Sequence, residues 1–189
     1  MMLRCFIAIK IEPSQPLRRI LRTLGEMGRS VRAVEVDALH VTLRFLGPTD
    51  DAVIPEIEGA IQTAVAPEPP FTLHVATLGA FPHARRPSVI WAGLEECPIL
   101  RRVTSRLNDA LDALGVQKDD RPWHAHLTLA RVKSAPPAEL RDLLESQAVM
   151  PLATQMVDSV ELLRSDLTPN GPRYTVVASA VMSKQGLER

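Results

Sequence analysis

Two short stretches of this 189-residue chain repeat one arrangement of reactive side chains. His40-Val41-Thr42-Leu43-Arg44 and His126-Leu127-Thr128-Leu129-Ala130-Arg131 both read histidine, apolar residue, threonine, leucine. They stand nearly half a chain apart, as two copies of an internal repeat would. On a strand, residues i and i+2 share a face. Each copy therefore sets an imidazole beside a hydroxyl and turns Val41, Leu43, Leu127 and Leu129 toward a core. Two related lobes would bring these faces together, so that two imidazoles and two hydroxyls line one cleft.

That set suits phosphodiester chemistry. Histidine titrates near pH 6.5, so one copy can be neutral while the other is protonated. The neutral ring takes a proton from an attacking water, and the charged ring gives one to the leaving oxygen. The hydroxyls of Thr42 and Thr128, with nearby arginines, can hold the non-bridging oxygens. No metal and no other cofactor is required. Which histidine is acid and which is base stays open on residue chemistry alone.

Other side chains are weighed against this pair. Arg44, at i+4 from His40, shares the His40 face on a regular strand and is the first candidate for phosphate contact. Arg131, at i+5 from His126, faces away on a regular strand, and a bulge would reverse that. Arg173 and Tyr174, near the end of the chain, could meet a nucleotide. His124, at i−2 from His126, forms a His-x-His pair with Asp119 and Asp120 nearby in sequence. A metal site there lacks a specified third ligand, and a place at the cleft rim is the expectation. His74 and His83 are expected to be non-catalytic, with Arg85 and Arg86 beside His83 able to touch phosphate. Phe45, Trp91 and Trp123 are read first as core residues.

The elements that must position these groups follow from periodicity. A strand is expected over 3–11. A helix follows from Ser14 and Pro16 to about Met27, with Leu17, Ile20, Leu21 and Leu24 on its apolar face. Short strands are expected over 31–36 and 39–46, the second closed by Gly47-Pro48. Thr49-Asp50-Asp51 caps a helix to about Val65. Strands over 71–78 and 88–94 flank the loop Ala80–Pro87, and an amphipathic helix spans Cys97 to Leu114. The second motif lies on a strand from Trp123 to Val132. Pro136-Pro137 opens a helix to about Gln147, and a final hairpin pairs 155–164 with 173–182 around Thr168–Pro172. Strands in pairs between helices predict an α+β fold with mostly antiparallel sheet.

Composition excludes several classes. Basic and acidic side chains number 22 each, for zero net charge. A protein that coats duplex nucleic acid would run near pI 9, about two units higher than neutrality. Two Trp, one Tyr and four Phe supply no broad stacking platform for single strands. Cys5 and Cys97 cannot build a disulfide framework and are expected as reduced thiols. No apolar run reaches the ~18 residues of a membrane span, and the N-terminal segment does not read as a signal peptide. A cytoplasmic monomer without membrane contact is expected.

At these residues the chain resembles the two-histidine phosphoesterase superfamily, and within it the RNA 2′,3′-cyclic phosphodiesterase family, historically called 2′-5′ RNA ligase. The resemblance spans essentially the full chain. It is carried by Arg4–Ile9, His40–Gly47, Arg86–Trp91, Trp123–Arg131 and Ser165–Tyr174. Trp123 stands where Phe is usual, and Ala125 stands where Pro is usual. The resemblance implies a bilobal α+β domain over 1–189, with two mostly antiparallel sheets, flanking helices, a central cleft and a pseudo-two-fold internal repeat. It implies hydrolysis of RNA 2′,3′-cyclic phosphate ends to a 2′-phosphomonoester, with His40 as proton donor and His126 as proton acceptor. Thr42 and Thr128 would assist, and Arg44, Arg131 and Tyr174 would bind substrate. The alternatives are 2′-5′ ligation, hydrolysis of another cyclic or 2′-5′ phosphodiester, and non-catalytic binding of RNA ends.

Overall fold

The computed structural model describes residues 1–117, 122–146, 150–168 and 171–183. The strands are β1 (Met2–Lys10), β2 (Val31–Ala33), β3 (His40–Asp50), β4 (Phe71–Phe81), β5 (Val89–Leu94), β6 (His126–Val132), β7 (Pro151–Val157), β8 (Ser159–Thr168) and β9 (Gly171–Val181). The helices are α1 (Gln15–Glu26), α2 (Ile54–Val65), α3 (Pro98–Ala113) and α4 (Ala138–Ser146). Among the described residues, no helix is long and apolar enough to cross a membrane.

Local chemistry explains where elements start. Ser14 caps α1 by accepting from the Leu17 amide at 3.2 Å, and Pro16 sits in the first turn, where its missing N–H costs nothing. Leu17, Ile20, Leu21 and Leu24 are all buried, as the spacing predicts. Asp50 accepts from the Ala52 amide at 3.2 Å and caps a 3-10 turn, Asp51–Val53, that feeds α2. On α3 the stripe Leu100, Val103, Leu107 and Leu111 is buried.

The strands run in the order β7-β4-β5-β6-β3-β1-β8-β9, with β2 beside β6, and every pairing is antiparallel. The two expected sheets are two halves of one curled sheet, joined between β3 and β6 by the single pair Val41–Leu127. The curl returns β7 to the first turn of the chain. There Gln155 accepts from the Glu12 amide at 2.7 Å and donates to the Lys10 carbonyl at 2.9 Å, and the Ser14 hydroxyl donates to the Leu152 carbonyl.

The halves repeat one plan. β1-α1-β3 places an antiparallel pair around a helix, and β5-α3-β6 does the same. Lys10, Ile9 and Ala8 oppose His40, Val41 and Thr42; Gly93, Ala92 and Trp91 oppose His126, Leu127 and Thr128. Both pairs then bulge at the same step. Ile7 opposes Arg44, leaving Leu43 extra, and Ile90 opposes Ala130, leaving Leu129 extra. One extra residue reverses the facing of everything beyond it.

Four expectations need correction. Gly47-Pro48 does not close β3. Gly47, at φ +68, makes a second bulge against β1, and the strand continues to Asp50. Pro48 is tolerated because β6 has left β3 by then, so its missing N–H faces an unpaired edge. The strand expected over 31–36 stops at Ala33, and Val36–Ala38 is a 3-10 turn. The second-motif strand begins at His126 instead of Trp123. The strand expected over 155–164 is two: Asp158 separates β7, which pairs with β4, from β8, which pairs with β1 and β9. No Gly or Pro marks that break, and its support is tertiary, a hydrogen bond donated by the Met182 amide to the Asp158 carbonyl at 2.7 Å. Gln147, Pro169 and Asn170 lie outside the described residues.

Candidate active site

Directly opposed residues of an antiparallel pair share a face. With Val41 opposite Leu127 and both fully buried, their sequence neighbours point the other way. His40, Thr42, His126 and Thr128 therefore face one cleft. The register sets His40 beside Thr128, and Thr42 beside His126.

Both imidazoles are held identically. Nδ1 of His40 lies 2.7 Å from the Ala38 carbonyl, and Nδ1 of His126 lies 2.7 Å from the His124 carbonyl. A carbonyl only accepts, so each Nδ1 carries its hydrogen. That leaves each Nε2 as the group able to lose or gain a proton. Burial pushes His40 below its ordinary value, the Ala38 bond opposes this, and the nearby charge of His126 adds to the lowering. Burial also lowers His126, opposed by the bond to His124 and assisted by the His124 ring. The two sites sense each other, so one proton on the pair discourages a second.

Aromatic rings flank each histidine. His40 packs against Phe6 and Tyr174, with ring centroids 4.9 and 5.0 Å away. His126 packs edge-on against Phe81 at 5.2 Å, and Phe81 in turn contacts Trp91 and His124. The Trp123 indole donates to the Thr42 carbonyl at 3.0 Å, binding the lead-in of the second motif to the strand of the first. Every Phe, Trp and Tyr of the chain except Phe71 thus lies at this cleft. The core assignment for Phe45 and Trp123 is wrong: they are 58% and 38% exposed. Past the first bulge Phe45 opposes Phe6, on the cleft face.

The same bulges exchange the two arginines. Arg44 does not share the His40 face. It opposes Ile7 on the core side, is 8% exposed, and donates to Asn108 Oδ1 and the Gln117 carbonyl at 2.8 Å each, with Asp112 at 3.5 Å. Arg131 opposes Val89, one alternation from Trp91, and so faces the cleft. Its charge reaches the Tyr174 hydroxyl: burial raises that phenol, while Arg131 and Arg4 lower it. Tyr174 remains a hydrogen-bond donor at neutral pH. A cavity of about 690 Å³ adjoins it, lined also by Arg32, Arg173, Thr168, Glu35 and Asp37.

His74 lies on β4, bonded to the Thr154 hydroxyl at 3.1 Å, and His83 accepts from the Arg86 amide at 3.2 Å in the β4–β5 loop. Among the described residues, no three His, Cys, Asp or Glu side chains gather as a metal group. Asp119 and Asp120 lie outside them. Sequence reasoning missed Phe6 and Phe81 as packing for the imidazoles, Arg4 as a cleft charge, and the carbonyls of Ala38 and His124. Alternation along β1 sets Phe6 on one face with Ala8 and Lys10, and only the register of Lys10 with His40 marks that face as the cleft. The carbonyls carry no side-chain signal.

The model of the 2′-5′ RNA ligase superfamily matches residues 15–169. A protein of Archaeoglobus fulgidus named RNA 2′,3′-cyclic phosphodiesterase is 32% identical over 174 residues, 91% of this chain and 96% of that one. One of the same name from Thermotoga maritima is 30% identical over 177 residues, 93% of each chain. Among solved structures, TT0787 of Thermus thermophilus aligns with TM-score 0.77 at 26% identity, covering 95% of this chain and 98% of that one. Escherichia coli LigT complexed with 3′-AMP shares the fold, with TM-score 0.73 at 24% identity over 97% and 99%. A duplicated His-x-Thr strand pair, a cleft between two halves of one antiparallel sheet and these similarities agree, and the chain belongs to the 2′-5′ RNA ligase superfamily.

Proposed function

We propose that this protein hydrolyses RNA 2′,3′-cyclic phosphate ends to 2′-phosphomonoesters by acid–base catalysis between His126 and His40. One observation carries the reading: two imidazoles on one cleft face, each with Nδ1 committed to a backbone carbonyl and Nε2 left for proton transfer.

In the reaction, neutral His126 accepts a proton from water at Nε2 as the water oxygen bonds to phosphorus. The P–O3′ bond breaks, its electron pair stays on O3′, and Nε2–H of protonated His40 supplies the proton. O2′ keeps the phosphate. Exchange with solvent then resets both rings. The Thr42 and Thr128 hydroxyls sit beside the opposite motif's imidazole, where they can donate to the non-bridging oxygens as charge builds there. Arg131 and Tyr174 supply further positive potential and a donor. The residue set supports a metal-independent route, since every step uses a side chain on the cleft face. Both motifs come from one chain, so a monomer suffices. The free thiols Cys5 and Cys97 suit a reducing compartment such as the cytoplasm.

Phosphorus NMR of a short RNA with a 2′,3′-cyclic end tests the proposal. A 2′-phosphate product is expected, with the rate unchanged by EDTA. A 3′-phosphate product, or joining to a 5′-hydroxyl strand as the main outcome, overturns it.

A further inference from the structure

The cleft contains one strained position outside the two motifs. Thr77 adopts φ +62, a left-handed conformation that a β-branched residue takes only when its surroundings enforce it. It is the extra residue of a bulge in β4, where Ala76 opposes Gly93 and Leu78 opposes Ala92. The bulge sends its hydroxyl over Gly93. A Cβ at 93 would collide with Thr77 Oγ1 and come within 3.3 Å of the Trp91 ring. Gly93 is the residue directly opposite His126.

A second glycine completes the arrangement. The Trp91 ring lies over Gly79, where a Cβ would stand 2.7 Å from Cε2 and closer to two other ring atoms. Trp91 is thus seated on Gly79, and its Cζ3 edge shares the space over Gly93 with the Thr77 hydroxyl. The rings of Phe81 and His124 pack against Trp91, with centroids 5.2 and 5.3 Å away. Those two rings are the ones that contact His126, at 5.2 and 6.1 Å. Gly93 thus brings Thr77 and Trp91 over one spot, and ring contacts carry on from Trp91 to the imidazole.

We infer that Thr77 is a positioning residue for His126, a wedge that fixes the Trp91 ring and, through Phe81 and His124, the imidazole above it. The inference rests on His126 being a reacting group. Its use would explain why the strain persists. Glycine at 77 would relieve the backbone, yet it would leave the indole free to slide.

Two variants and two readouts test this. Thr77→Gly removes both wedge and strain; Thr77→Val keeps the wedge and removes the hydroxyl. Thr77→Gly is expected to melt roughly 2–4 °C higher than the parent, while kcat/KM on a 2′,3′-cyclic-ended RNA falls about tenfold or more. Thr77→Val is expected to keep most of the rate. Histidine NMR titration, with the His126 signal identified by its loss in His126→Gln, needs no substrate. In Thr77→Gly, the His126 value is expected to rise toward the ordinary one as water reaches the ring. His124 and His40 face His126 and are expected to respond with it, so distant His74 serves as the internal reference. An unchanged His126 titration in Thr77→Gly overturns the inference, whatever the fate of the proposed reaction. A loss in Thr77→Val equal to that in Thr77→Gly also overturns it, because the hydroxyl would then act directly.

Discussion

Val41 of β3 pairs with Leu127 of β6, and no other residue pair joins those strands among the described residues. The contact is both seam and symmetry point. Each partner is fully buried and is preceded by a histidine and followed by a threonine. A longer ladder would flatten the sheet across the seam. With one pair the halves can splay, and the Thr42 carbonyl that a second rung would use accepts from the Trp123 indole. The cleft is the space that this missing ladder leaves.

Both histidines are expected to be required, and their losses should not add. His40→Ala and His126→Ala should each lower kcat by about 10²–10⁴. The double variant should be little worse than the poorer single one, since in the proposed mechanism either removal stops the same proton relay. Circular dichroism and urea midpoints should show all three folded. Single-turnover kinetics on a cyclic-ended RNA measures this, and full activity in either single variant excludes the mechanism.

The pH profile should be a bell displaced to the acid side. Burial lowers both imidazoles, the His126 charge lowers His40 further, and the His124 charge lowers His126 further. In the proposed mechanism the productive state carries one proton on the pair, so kcat/KM should peak below about pH 6.5. A bound anionic phosphodiester favours the charged ring, so the kcat profile should lie at higher pH than the kcat/KM profile. Stability follows the same sign. These histidines bind protons less readily when folded, so stability should fall as pH drops through the unfolded value of about 6.5. A kcat/KM maximum well above neutrality would contradict the burial argument.

Much of the fold and the shared facing of the two motifs were legible in the sequence, and the exceptions share a cause. The helix stripe at Leu17, Ile20, Leu21 and Leu24 and the facing of His40 with Thr42 follow from spacing alone. The arginines followed the same rule and came out wrong at Arg44. Alternation holds only while a strand stays regular, and Leu43 and Leu129 are bulge residues that leave no mark in a run of apolar side chains. The break at Asp158 is likewise silent, because the exchange of partners there depends on where β4 and β1 lie. Thr77 escaped notice because threonine is ordinary in a strand and its backbone angle is not written in its type.

The arginine exchange has separable consequences. From a buried position Arg44 ties β3 to α3 through Asn108 and Asp112, and to the segment after α3 through the Gln117 carbonyl. Arg44→Met should cost stability, roughly 2–4 kcal/mol for a buried charge network broken on one side. Arg131 stands exposed on the cleft. Arg131→Ala should change stability by no more than about 0.5 kcal/mol and lower kcat/KM severalfold. Urea unfolding and steady-state kinetics on both variants decide the matter, and the opposite pattern would restore the regular-strand facing.

Glu68 should set the acid limit of the fold outside the cleft. In the Pro67–Pro70 connection it accepts from Arg102 at 2.8 and 2.7 Å and from Arg106 at 2.6 Å, pinning the link between α2 and β4 onto α3. The Arg102 bonds hold its carboxyl down to about 2, burial opposes them, and Arg106 assists. A carboxyl lowered on folding stabilises fully above its unfolded value of 4.5, and that contribution drains as pH falls toward 2. Glu68→Gln should therefore be less stable than the parent near neutrality, with the gap closing across that window. Urea midpoints against pH measure it, and parallel curves would mean the pair contributes nothing.

Salt should weaken substrate binding only slightly. Zero net charge leaves no broad field to hold a strand. Positive charge near Tyr174 comes instead from Arg131 and Arg4, which act on the phenol, while in the adjoining cavity Arg32 and Arg173 stand with Glu35 and Asp37. One to three phosphates can be neutralised there. For single-stranded RNA that corresponds to a slope of roughly −0.7 to −2 in log(kcat/KM) against log[salt]. Arg173→Ala should make the slope shallower for a cyclic-ended trinucleotide and leave a nucleoside 2′,3′-cyclic phosphate unaffected, because only the longer substrate extends past Tyr174. A slope near −5 would mean that the protein grips a long stretch of strand, and the cleft would then be only part of a larger binding face.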